Sequence, residues 1–172
     1  MGENKMGVNI SNKTVSTDRI DCTGSLQVTL ALSASPDISS HPTDIVLILD
    51  RSGSMAGSPL ANLKKGAKKF IDIIDEATDG SQDGNIGSGS RIGIVSFSDT
   101  ATQNTQLITS VAALKTAVDS LSAGGSTNHA DAFTKATELF NPQSTNARVM
   151  VMFTDGKTTA GPNPNPIAAA AR

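Results

Sequence analysis

A single cysteine, Cys22, among 172 residues leaves no partner for an intrachain disulfide and no ligand set for a multi-cysteine zinc site. Lying in a β-like stretch, it reads as an inert thiol. No apolar run approaches the length needed to cross a bilayer, so membrane insertion is not expected. The first thirty residues lack the apolar core of a signal peptide. Met6 occupies the position where a myristoylation signal needs Ser or Thr. Basic charge is also scarce: 14 Lys and Arg against 16 Asp and Glu give a net charge of −2, which argues against nucleic acid as a partner. The one basic cluster, Lys64, Lys65, Lys68 and Lys69, falls at helical spacing and reads as a solvated face.

What remains is an ordinary globular composition, 37% hydrophobic and 17% charged. Residues 1–43 stand apart from the rest. Leu26, Val28, Leu30 and Leu32 alternate with Gln27, Thr29 and Ala31, the period of a half-buried strand. Val8, Ile10 and Val15 suggest weaker strands, and Pro36 and Pro42 punctuate a linker. This part is expected to be a short β segment. Two glycosylation-type triplets, beginning at Asn9 and Asn12, carry weight only in a cell that glycosylates secreted asparagines.

From Asp44 to the end the pattern becomes strand–helix alternation. Ile45 to Leu49 is a continuous apolar run, as in a strand buried on both faces of a parallel sheet. Ser58 and Pro59 open a helix whose apolar residues Leu60, Leu63, Ala67, Phe70, Ile71 and Ile74 share one face. Ile92, Ile94, Val95 and Phe97 form a second buried strand, and Leu107-Ile108 reads as a short edge strand. Ser110 caps a helix bearing Val111, Leu114 and Val118, and a further helix after Thr127 turns Ala130, Phe133, Ala136 and Phe140 inward. Residues 149–153, VMVMF, read as a third buried strand, followed by a helix opening at Asn165-Pro166. The fold class expected for residues 44–172 is α/β, an open, mostly parallel, doubly wound sheet with helices on both faces.

Ligands of such sheets bind at the carboxyl ends of the strands. There the sequence places Asp50, Ser52 and Ser54 after the first strand, Ser96, Ser98 and Asp99 after the second, and Thr154-Asp155-Gly156 after the third. Gly124-Gly125-Ser126-Thr127-Asn128 precedes a helix nearby. An all-oxygen set of this kind suits a hard cation. Alternation in D-x-S-x-S turns Asp50, Ser52 and Ser54 to one side of an extended loop, where they can ring an ion. Neutral hydroxyls would leave that ion under-compensated, so a partner's carboxylate can complete it.

Three stretches in this order, DIVLILDRSGSM, GGSTN and VMFTDG, resemble the von Willebrand factor A domain and its metal-ion-dependent adhesion site. The resemblance implies that Ser52, Ser54 and Thr127 contact Mg²⁺ or Mn²⁺ directly, with Asp50 and Asp155 acting directly or through water. It also implies cation-dependent protein binding, in adhesion or surface assembly, through an acidic residue of the partner. Asp99, Asn128 and Lys157 are candidates for the rim that meets it. Family members continue with a further strand, helix, strand and helix, so the domain is expected to be C-terminally incomplete. The rest would come from a further segment of chain or a neighbouring subunit. His129 stands where many relatives carry a small or hydroxylated residue and reads as a surface residue at a helix start. Adhesion and few cysteines fit a bacterial surface or extracellular location.

Other chemistries fit less well. Ser52 lacks the G-x-S-x-G elbow and a base within reach, so a hydrolase is not expected. Gly156-Lys157-Thr158 ends like a phosphate-binding loop, but Val151 stands where its first glycine belongs. The chain is therefore not expected to be an enzyme. Asp79, Ser81 and Asp83, with Gly84 at position six and Ile86 at eight, match the first half of a Ca²⁺ loop, although Ser90 replaces the closing glutamate. The alternative to an adhesion module is a structural or filament subunit in which the fold is an assembly device completed by another chain.

Overall fold

A computed structural model describes residues 8–15, 28–34 and 41–170. Cys22, Leu26, Pro36 and Arg172 lie outside the described residues. By contacts the chain divides into two compact units between Asp37 and Ile38. In the first unit, β1 (Val8–Val15) and β2 (Val28–Ala34) form an antiparallel pair, with a register shift between Val8 and Ile10.

The second unit is built on a four-stranded sheet. In chain order come β3 (Thr43–Asp50), α1 (Ser58–Asp79), β4 (Arg91–Phe97), β5 (Ala101–Gln103), α2 (Val111–Asp119), α3 (His129–Thr137), β6 (Ala147–Phe153) and α4 (Pro164–Ala170). The sheet order is β5-β4-β3-β6. β3 pairs in parallel with both β4 and β6, and β4 pairs with β5 antiparallel. The expected open, mostly parallel sheet is therefore present.

Central placement explains the composition of β3. Ile45, Leu47 and Leu49 pack on one face with Leu60, Leu63, Ala67, Ile71 and Ile74 of α1 and Val111, Leu114 and Val118 of α2. Val46 and Ile48 pack on the other face with Val95, Phe97, Ala132, Ala136 and Phe140. A strand covered on both sides has no polar face to alternate with. Each fully buried side chain of this kind contributes on the order of 1.5–3 kcal/mol. α1 ends where Gly80 takes φ +83° and donates its N–H to the Glu76 carbonyl at 2.8 Å.

Several expectations need correction. The edge strand is β5, not Leu107-Ile108; Ile108 makes only an isolated bridge, exchanging two 2.9 Å backbone bonds with Ile92. β6 is not buried, because it is the last strand in the sheet order of the described residues; Val149 is 42% exposed. The N-cap of α1 is Gly57 rather than Ser58. Phe133 is only partly buried, and Ala132 takes the core position. Nor is the lysine face simply solvated. Lys68 pairs with Asp119 at 2.7 Å and Lys64 donates to the Asp119 carbonyl at 2.8 Å, clamping α1 to the end of α2.

At the end of the sheet opposite the candidate site, Asp44 is buried and accepts two hydrogen bonds from the Arg91 guanidinium, at 2.9 and 2.7 Å. Asn146 Nδ2 adds a third at 3.0 Å, joining the start of β3 to the chain entering β6. Burial pushes the Asp44 carboxyl up, but the Arg91 and Asn146 hydrogen bonds and the Arg91 charge outweigh it and hold it below its usual range. Its folded value lies below the unfolded one. The stabilisation is therefore complete above the usual aspartate range and vanishes as pH falls through the lower folded value. Denaturant unfolding of Asp44→Asn should show a loss of about 1–2 kcal/mol at pH 7, the lower end reflecting the partial exposure and screening of Arg91. That gap should close towards pH 2; a gap independent of pH would contradict this reading.

Candidate metal centre

β3 carries Asp50 to the carboxyl end of the sheet, where its residue exposure is 0%. Arg51 donates its N–H to the Phe97 carbonyl at 2.9 Å, the last sheet-like bond before the chain leaves. Ser52 then folds back and its N–H meets Asp50 Oδ1 at 2.8 Å. A single 3₁₀ turn, Gly53–Met55, follows, and buried Met55 anchors it in the core. The turn brings Ser52 Oγ and Ser54 Oγ to 3.1 Å. Ser54 Oγ donates to Asp155 Oδ1 at 3.1 Å, and Thr154 Oγ1 donates to Asp50 Oδ2 at 2.6 Å. Four of the five sequence-proposed ligands, Asp50, Ser52, Ser54 and Asp155, are thus joined in one hydrogen-bonded chain.

Thr127 is placed differently, through its backbone. Gly53 N–H meets the Gly125 carbonyl and Gly124 N–H meets the Arg51 carbonyl, both at 2.8 Å. These two bonds zip the 51–55 loop to the glycine loop. On the other side, Thr159 Oγ1 accepts from Thr127 N at 3.0 Å, and the Thr127 carbonyl accepts from Thr159 N at 2.8 Å and Ala160 N at 3.0 Å. Thr127 itself is 6% exposed, and its hydroxyl takes no hydrogen-bond partner among the described residues.

The expected rim residues divide into two kinds. Asp99 Oδ1 accepts from Ser126 N at 3.0 Å. The Ser126 N–H, then its hydroxyl, hold the Asp99 carboxyl below the usual range, with the Arg51 charge adding to them against slight desolvation. Asn128 caps α3 through Asp131 N at 3.2 Å and donates to the Asp99 carbonyl at 3.0 Å. Both side chains therefore hold the glycine loop, whereas Lys157 is exposed beside Asp155. In the loop after α1, Asp79 Oδ1 accepts from both Ser81 N and Ser81 Oγ, and Asp83 Oδ1 accepts from Asn85 N. Each carboxylate there closes its own turn.

Two residues that the sequence placed near the site, without giving them a part in it, make contacts there. Thr154, in the FTDG stretch, takes the second oxygen of Asp50. His129 is half-buried rather than a surface residue: its ring meets Phe97 edge-on at 5.3 Å, and Nε2 lies 3.5 Å from Thr154 Oγ1. Both roles depend on contacts between strand ends far apart in sequence.

The donor set fits a hard divalent cation. The Ser52 and Ser54 hydroxyls and the Asp50 and Asp155 carboxylates are linked by hydrogen bonds, the loop that carries Thr127 is bonded to theirs through its backbone, and Asp50 forms no ion pair among the described residues. No group of three or more His, Cys, Asp or Glu side chains that could hold a metal ion occurs among the described residues.

The family model described as von Willebrand factor type A domain matches residues 44–172. The chain belongs to this family. No curated protein matches it. Among solved structures it is similar to a von Willebrand factor type A protein from Catenulispora acidiphila (26% identity, 83% of this chain, 32% of that chain, TM-score 0.61). It also resembles the vWF domain of the type V pilus tip protein Mfa5 from Porphyromonas gingivalis (21% identity, 67% and 38% of the two chains, TM-score 0.60). A third is proximal thread matrix protein 1 of the mussel byssus, with a zinc-occupied MIDAS motif (22% identity, 77% and 34%, TM-score 0.61). The chain spans about a third of the length of these three proteins.

In this A domain the glycine loop has one position that only glycine suits. Gly125 has φ +82°, and a Cβ there would collide with Asp99 Oδ2. Gly124 has open space around the equivalent point. Gly125→Ala should cost about 1–3 kcal/mol in denaturant unfolding, from backbone strain and the displaced aspartate. Gly124→Ala should stay within about 1 kcal/mol of the parent. Equal losses for the two variants would show that the loop is not held as described.

Proposed function

We propose that this A domain is a protein-binding module that depends on a divalent cation, Mg²⁺ or Mn²⁺, for adhesion or surface assembly. Ser52, Ser54 and Thr127 would hold the ion with neutral oxygens, while Asp50 and Asp155 balance its charge and orient its waters. When bound, the ion supplies a Lewis-acidic point that an acidic residue of a protein partner can complete. The observation that carries this reading is the hydrogen-bonded chain, running through the Ser52 N–H and the Ser52, Ser54 and Thr154 hydroxyls, around a fully buried Asp50.

The same geometry supports a binding rather than an enzymatic role. The Ser52 and Ser54 hydroxyls are engaged with each other and with Asp155, and His129 reaches Thr154 instead of either serine. Among the described residues neither serine has a histidine or lysine aligned on it. Asp99 and Asn128 would shape the rim from within, and exposed Lys157 would meet an acidic partner. No Ca²⁺ role is assigned to Asp79, Ser81 and Asp83, where one oxygen of each carboxylate closes its own turn. Likeness in fold to a bacterial pilus tip protein supports a place on or outside a bacterial cell. Among the described residues no helix is long and apolar enough to cross a membrane.

One observation favours a second reading. The outer edge of β6 is open among the described residues, and Met55, Leu63, Met152 and Phe153 line a mostly apolar groove of about 410 Å³ beside it. An assembly module would continue the sheet there with a strand from a further segment of chain or a neighbouring subunit. Self-association that persists in EDTA would favour that reading over metal-dependent adhesion.

The test is a thermal and chemical unfolding series with Mg²⁺, Mn²⁺ or EDTA. At an ion concentration 100 times its Kd, stability should rise by about 2.7 kcal/mol over the EDTA sample. Asp50→Ala and the Ser52→Ala, Ser54→Ala double variant should remove the rise. An unchanged midpoint in the parent protein, confirmed by calorimetry without binding heat, would refute the metal-dependent reading.

A further inference from the structure

His129 lies two residues beyond Thr127 and is the first residue of α3. Its ring is fixed by the edge-on contact with Phe97, whose side chain is fully buried. Nε2 lies 3.5 Å from Thr154 Oγ1, and that hydroxyl has three further contacts, of which the Gly156 carbonyl at 3.4 Å is a much longer acceptor than Asp50. It donates its only proton to Asp50 Oδ2 at 2.6 Å and accepts the Gly156 N–H at 3.2 Å. With the proton on Asp50, the Thr154 oxygen can only accept from the imidazole, which selects the tautomer carrying hydrogen on Nε2. The order of donation is then His129 to Thr154 to Asp50, while Ser52 N–H holds the other Asp50 oxygen at 2.8 Å.

We propose that His129 is a positioning residue for the cation site: through the Thr154 hydroxyl it sets the orientation of the Asp50 carboxylate and thereby the affinity for the divalent ion. This rests on the metal-binding reading above. The ring–ring contact with Phe97 alone would make His129 a packing residue. The two roles separate because phenylalanine preserves the ring and removes the donor, whereas glutamine removes the ring and preserves an N–H₂ donor at similar reach.

The experiment is calorimetric titration of the whole chain with MgCl₂ and with MnCl₂, alongside unfolding midpoints measured in EDTA. His129→Phe should weaken ion binding about three- to tenfold, the effect of one lost hydrogen bond, with the EDTA midpoint kept. His129→Gln should restore binding to within about twofold of the parent. In a Thr154→Val background, His129→Phe should have no further effect on affinity, since the link is already cut. Equal ion affinity in the parent and His129→Phe, or fully additive losses with Thr154→Val, would overturn the positioning role. No ion binding by the parent protein would instead overturn the metal-binding reading itself.

Discussion

A buried carboxylate with no cationic partner among the described residues is the constraint on which the rest of the structure turns. Asp50 sits at the end of a strand covered on both faces, so water cannot solvate it from the side. Burial of an unsatisfied charge costs far more than any single contact returns. The protein answers with short local donors: Ser52 N–H on one oxygen and the Thr154 hydroxyl on the other. These are dipoles rather than opposite charges. The oxygens of Ser54 and Asp155 extend the acceptor surface towards solvent.

Precision in such a site depends on loops, which are ordinarily the mobile parts of a fold. Here the loops are tied to one another before they are tied to any ligand. The reciprocal backbone bonds between Arg51–Gly53 and Gly124–Gly125 make one rigid platform of two connections. Thr127 is then pinned from the far side by Thr159 and Ala160. Asp99 and Asn128 spend their side chains on this scaffold. Oxygens already fixed in place lose less freedom when an ion arrives, which is the advantage of preorganisation. The opposite end of the sheet has its own clamp, in which Arg91 and Asn146 neutralise and orient buried Asp44. Both ends of β3 therefore carry a buried aspartate, and among the described residues only Asp44 has a guanidinium partner.

Much of the architecture was legible because burial writes itself into sequence. The run Ile45 to Leu49 had no polar alternation because two helix layers cover it, and α1 showed its core face through three- and four-residue spacing. Ser110 was recognisable as a cap from chemistry alone, and its hydroxyl does accept from Ala113 N. β5 was missed because three residues, Ala101–Gln103, carry no period. They become a strand through pairing with Val95–Phe97 and through Asp131, which accepts from Ala101 N at 2.6 Å. The apolar run of β6 suggested burial, but exposure depends on what lies beside the strand, not on the strand itself. At the site, Asp50, Ser52, Ser54 and Asp155 could be named from their places at strand ends. The Thr154–Asp50 bond spans about a hundred residues, and no local pattern foretold it or the approach of His129.

The central claim is that one cation is held by oxygens from the three zipped loops. A crystal structure of the chain grown with MnCl₂, with an anomalous difference map at a wavelength sensitive to manganese, tests it most directly. The account predicts a dominant peak within coordinating distance of Ser52 Oγ, Ser54 Oγ and Thr127 Oγ1, beside Asp50 and Asp155. An absent peak, or a dominant one at the Asp79–Asp83 loop with none beside Asp50, would contradict it.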